Sequence, residues 1–137
     1  MRIFFDSSAF AKRYLREAGT DAVLALCERA DELVLSAIAV PEIISAFCRL
    51  RREARISDAD YDQQKRALLA DVVDVLVCDV AADVIAKSVE ALEQNTLRGM
   101  DAIHVGTAAI MRCDLFVSSD VRQCDAATRI GLTVERI

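Results

Sequence analysis

The chain alternates short apolar runs with longer stretches of helical periodicity. Arg2 to Phe5 is apolar, is closed by Asp6-Ser7-Ser8, and predicts a buried strand. Ser8 is placed to cap a helix over Ala9 to Arg16. Gly19-Thr20 interrupts the pattern before a second helix that reaches Ala30. Leu33 to Ser36 predicts the second strand. From Ile38 the apolar positions Val40, Ile43, Ile44, Phe47 and Leu50 recur at helical spacing, with Pro41 in the first turn, where proline is tolerated. Ser57-Asp58 opens a helix to Asp74. A strand at Val75 to Cys78 and a helix from Ala81 to Gln94 follow. Gly99 precedes a nearly all-apolar helix from Met100 to Arg112. Leu115 to Ser118 predicts the fourth strand, and Asp120 to Ile130 a helix stopped by Gly131. Thr133 to Arg136 predicts a fifth.

Strands alternating with helices predict an α/β fold: a parallel sheet of four to five strands covered by helices on both faces. In such folds the functional site lies at the carboxyl ends of the strands. No linker, repeat or low-complexity segment divides residues 1–137, so one domain is expected.

Composition narrows the class. With 54% hydrophobic and 28% charged residues the chain is not of a disordered type, and 4 glycines and 1 proline exclude a collagen-like one. No apolar run approaches the roughly 20 residues of a membrane helix. Met1 to Asp6 meets a charge after three apolar residues, so no signal peptide is expected. The five cysteines, Cys27, Cys48, Cys78, Cys113 and Cys124, are odd in number and form no Cys-x-x-Cys, which predicts a reduced, cytoplasmic protein. One histidine excludes His-rich metal sites. The net charge of -5 argues against generic nucleic-acid binding, which draws on Lys and Arg.

Four carboxylates have apolar neighbours. Asp6 ends the first strand, Glu42 lies early in the helix after the second, Asp101 opens the most apolar helix, and Asp120 follows the fourth strand. Converging carboxylates repel, and one is driven to stay protonated unless a cation joins them. Mg²⁺ or Mn²⁺ suits such a set, because hard divalent ions prefer carboxylate and water oxygens. Taken singly, Asp6, Asp101 and Asp120 read more readily as helix caps or first-turn acids than as ligands, and the plain reading of Glu42 is an ion pair with Arg49.

A wider pattern joins these residues. Asp6-Ser7-Ser8-Ala9 with Lys12, Pro41-Glu42, Leu97-Arg98-Gly99-Met100-Asp101-Ala102-Ile103-His104, Val117-Ser118-Ser119-Asp120, Ala126-Ala127 and Gly131-Leu132 together resemble a PIN domain, and within that family the VapC-type toxin ribonucleases. The resemblance spans essentially the whole chain. It implies a three-layer α/β/α sandwich with strand order 3-2-1-4-5. It implies that Asp6, Glu42, Asp101 and Asp120 form a catalytic, metal-binding quartet for Mg²⁺ or Mn²⁺ that hydrolyses RNA. Ser8 and Ser118 match the family's supporting polar positions. A cognate antitoxin and a homodimer are the partners it implies. Many family members carry a further acid after the fourth. Here Asp125 stands five residues on, about 500° around a helix and so roughly 140° from Asp120, which makes it a surface acid.

Metal-assisted hydrolysis needs no catalytic histidine, and His104 reads as a packed, hydrogen-bonded residue. Among the basic residues, Lys12 and Arg49 are the RNA-contact candidates; a solvated helix face is the plainer reading. A haloacid-dehalogenase phosphatase needs a second Asp where Ser8 stands, and a receiver domain needs paired acids and a late Lys that the chain lacks. The remaining rival is a PIN-fold protein that only binds RNA or protein. The quartet also changes the meaning of the charge. With its four charges set aside the rest of the chain carries -1, so the acidity is concentrated where a metal would neutralise it.

Overall fold

A computed structural model describes residues 1–137. Five strands, β1 (Arg2–Phe5), β2 (Glu32–Ser36), β3 (Leu76–Cys78), β4 (Leu115–Ser118) and β5 (Val134–Arg136), form one sheet. Its order is β3-β2-β1-β4-β5, and every neighbouring pair is parallel. Seven helices connect them: α1 (Ser7–Ala11), α2 (Thr20–Arg29), α3 (Ala39–Arg52), α4 (Asp58–Asp71), α5 (Ala82–Gln94), α6 (Gly99–Ile110) and α7 (Val121–Arg129). A short 3₁₀ turn, Val72–Asp74, finishes α4.

The central strands are apolar in their middle positions because both faces are covered. Ile3 and Phe5 point into a core with Phe10, Val23, Ile43 and Phe47 from α1, α2 and α3. Phe4 points the other way, to Ala102, Val105 and Phe116. Phe4 stacks on Phe116 with ring centroids 5.3 Å apart. The α5–α6 hairpin is tight at Gly106, where a Cβ would lie 2.6 Å from Ser88 Oγ and 3.1 Å from the Val84 carbonyl oxygen. Gly131 adopts φ 93°, a left-handed stop after α7 that suits glycine.

One expected helix differs. α1 begins at Ser7 and ends at Ala11, with Asp6 rather than Ser8 as its cap. The Asp6 carboxylate accepts the Ala9 N–H, which starts the helix earlier. After Ala11 the chain tightens: Lys12, Arg13 and Tyr14 donate to carbonyls three residues back, so regular helix does not continue to Arg16.

The strand order sets the site. From β1 the chain moves outward to β2 and β3 on one side, then returns to β4 and β5 on the other. The carboxyl ends of β1 and β4 therefore flank the point where the winding reverses, the usual ligand crevice of open α/β sheets.

Candidate active site

Asp6 leaves β1 at this rim. It is 1% exposed and held on every side. Oδ1 accepts the Ala9 N–H at 2.8 Å, Oδ2 accepts Ser118 Oγ at 2.7 Å, and Ser8 Oγ lies 2.8 Å from both oxygens. Burial pushes this carboxyl above the usual range, and the hydrogen bonds from Ser118 and Ala9 oppose the shift. Ser118 also accepts the Asp120 N–H at 2.9 Å, so one buried hydroxyl ties the β1 acid to the β4 acid.

Glu42 sits in the first turn of α3. Its Oε1 accepts Ser7 Oγ at 2.7 Å and lies 2.6 Å from His104 Nε2 on α6. Burial raises its carboxyl, but the hydrogen bonds from His104 and Ser7 outweigh that and leave it below the ordinary value. Glu42 therefore takes His104, not Arg49, as its partner. His104 is packed and 1% exposed, with its ring edge-on to Phe4 at 6.0 Å.

Asp101 and Asp120 are half-buried. Gln123 spans them: its side-chain nitrogen donates to Asp101 Oδ1 at 3.1 Å, and its backbone N–H donates to Asp120 Oδ1 at 3.0 Å. That second bond makes Asp120 the cap of α7. Asp101 is raised by burial and then by the negative charge of Asp120.

All four acids line one cavity of about 430 Å³, with Ser7, Ser8, His104 and Gln123. Arg49 and Arg98 supply the positive charge of its wall. No group of three or more His, Cys, Asp or Glu is spaced to hold a metal ion. The acids face a common space while their oxygens engage separate protein donors. The donor set is nonetheless one that fits a hard divalent cation: oxygen ligands only, with the charge of Asp120 close enough to raise Asp101.

The structure does not bring Lys12 to this cavity; its ammonium pairs with Glu17 at 3.2 Å. Asp125 lies in a separate hollow with Arg122 and Arg129. Ser7, Arg98 and Gln123 are the polar lining residues that sequence reasoning missed. Ser7 stands beside the recognised acid, Arg98 three residues before Asp101, and Gln123 three after Asp120, the position whose N–H an Asp cap engages. That last spacing is the one signal that could have found it. A larger cavity of about 590 Å³ adjoins the first, sharing Glu42, Arg98 and Asp101 and otherwise lined mainly by α5 and α6.

The PIN domain family model matches residues 3–128. The chain belongs to the PIN-domain family. Ribonuclease VapC46 of Mycobacterium tuberculosis is 32% identical to this PIN-domain chain over 96% of it and 95% of the relative. Among solved structures, Mycobacterium tuberculosis VapC20, a sarcin-ricin loop cleaving toxin, superposes with a TM-score of 0.69 at 18% identity, covering 98% of this chain and 99% of that one. VapBC2 from Rickettsia felis, bound to a DNA fragment from its promoter, gives 0.71 at 15% identity, covering 100% and 99%. At those identities the structural matches speak to the fold, which is that of PIN-domain VapC toxins. No helix of this PIN domain is long and apolar enough to cross a membrane.

Proposed function

We propose that this PIN-domain protein is a metal-dependent endoribonuclease, the toxin of a toxin–antitoxin pair. One observation carries the reading: four carboxylates at the sheet's reversal point line a single open cavity whose wall also holds Arg49 and Arg98. The names of its relatives, ribonucleases and cleaving toxins, support the same class of reaction.

Asp6, Glu42, Asp101 and Asp120 would hold Mg²⁺ or Mn²⁺. When bound, such an ion supplies an acidified water and neutralises charge at the phosphate. The chain's own residues do the rest. Ser118 and the Ala9 N–H fix Asp6 in one orientation. Gln123 sets the spacing between Asp101 and Asp120. The guanidinium groups of Arg49 and Arg98 attract the phosphodiester to an otherwise acidic cavity. A cognate antitoxin is the expected protein partner, in line with the VapBC assembly of the Rickettsia neighbour. We expect a homodimer. Five free cysteines suit the reducing cytoplasm.

The test is direct. Purified protein incubated with RNA cleaves it when Mg²⁺ or Mn²⁺ is present and stops on addition of chelator. Binding without cleavage at every metal tried assigns the chain instead to a binding-only role.

A further inference from the structure

The contacts of Glu42 are lopsided. Oε1 takes two donors, Ser7 Oγ at 2.7 Å and His104 Nε2 at 2.6 Å, while Oε2 takes none from the protein. A carboxylate oxygen has two lone pairs in its plane, so two donors saturate Oε1. The Glu42 side chain keeps 34% exposure, and it lines the acidic cavity. His104 shows the complementary asymmetry. Its ring is buried, and Nδ1 has no hydrogen-bond partner. Buried donors go unpaired more rarely than buried acceptors, so the ring proton belongs on Nε2, where an acceptor lies within reach.

We propose that His104 is a positioning residue which, with Ser7, pins Glu42 through Oε1 and leaves Oε2 as the single oxygen it offers to a cation in the cavity. The proposal rests on the reading of that cavity as a metal site. Outer partners of this kind orient ligands elsewhere, usually by gripping the atom that does not face the metal. The arrangement also couples two acids. His104 lies one turn after Asp101 on α6, so this helix carries one acid itself and steers a second on α3. Any displacement of α6 would move both together.

The chain's only histidine makes the test unambiguous. Long-range proton–nitrogen NMR of the metal-free protein should show a protonated Nε2 and a bare Nδ1, with the Nε2 signal displaced in Glu42→Gln. Mn²⁺ titration of His104→Leu should show about 10- to 100-fold weaker binding, the range for loss of an outer partner. RNA cleavage should lose kcat with KM little changed. His104→Gln, whose amide nitrogen can reach Glu42, should recover most of the Mn²⁺ affinity, which a purely space-filling histidine would not predict. A proton on Nδ1 overturns the proposal. So does wild-type Mn²⁺ binding by His104→Leu, or a Gln variant as weak as the Leu one. If His104→Leu does not fold, Ser7→Ala replaces it: removing this donor should weaken Mn²⁺ binding measurably, and unchanged binding counts against the proposal. If the wild type neither binds Mn²⁺ nor cleaves RNA, the metal-site reading fails, while the NMR spectrum still decides whether His104 grips Glu42.

Discussion

The two halves of the cavity are built differently. On the side of β1 and α3, Asp6 and Glu42 are each held by several donors, and Asp6 is 1% exposed. On the side of α6 and α7, Asp101 and Asp120 are half-buried, and Gln123 is the residue that spans them. Burial raises both Asp6 and Asp101, yet only at Asp101 does a neighbouring acid push the same way. One half is thus held by the protein's own donors, while the other keeps like charges whose repulsion a cation would relieve.

Removing an acid from either half is the harshest challenge. Asp6→Asn and Asp101→Asn should each lower RNA cleavage by more than ~100-fold, beyond what loss of an outer partner costs. Circular dichroism should show both folded. Stability should separate them from their supports. Ser118→Ala strips a hydrogen bond from a buried acid and should cost about 1.5–3 kcal/mol in urea denaturation. Gln123→Ala removes one hydrogen bond from a half-exposed acid together with a buried amide oxygen that has no partner, and should cost less, about 0.5–1.5 kcal/mol. Equal costs would erase the distinction between the halves.

Acid titration sharpens it further. Glu42 is lowered in the fold, so its contribution is present above its unfolded value near 4.5 and is lost as pH falls. Asp6 is raised, so it favours the fold once protonated, and that gain disappears as pH rises through its folded value. Denaturation across the acid range should therefore show a shallower acid loss in Glu42→Gln and a steeper one in Asp6→Asn.

The smallest expected effects concern RNA contact. Arg49→Ala should weaken RNA binding and reduce its salt slope by about 1. Lys12→Ala should change neither, because its ammonium pairs with Glu17 outside the cavity.

Much of this was legible in the sequence. β1 and β4 fall where Arg2 to Phe5 and Leu115 to Ser118 predict them, because strands covered on both faces are written as short runs with three consecutive apolar residues at their heart. The strand order followed from the family resemblance rather than from periodicity. The four acids stood out by their apolar surroundings, and the fold gathers them along one cavity. What the sequence hid were contacts across long separations. Glu42 and His104 are 62 residues apart, and the local alternative, Arg49 on the same helix, suggested the wrong partner. Asp6 already read as a cap candidate, but Ser8 is also a good cap and set the expected helix start two residues late. Lys12 lies near Asp6 in sequence, but the chain turns sharply after Ala11 and carries it to Glu17.

The central claim is that the four carboxylates act as one cation-holding unit. Equilibrium titration of Mn²⁺ into the wild type, Asp6→Asn and Asp101→Asn at neutral pH tests it most directly. The account predicts saturable binding by the wild type and at least ~10-fold weaker binding by each folded variant, one from each half of the cavity. Wild-type affinity in either variant would contradict it.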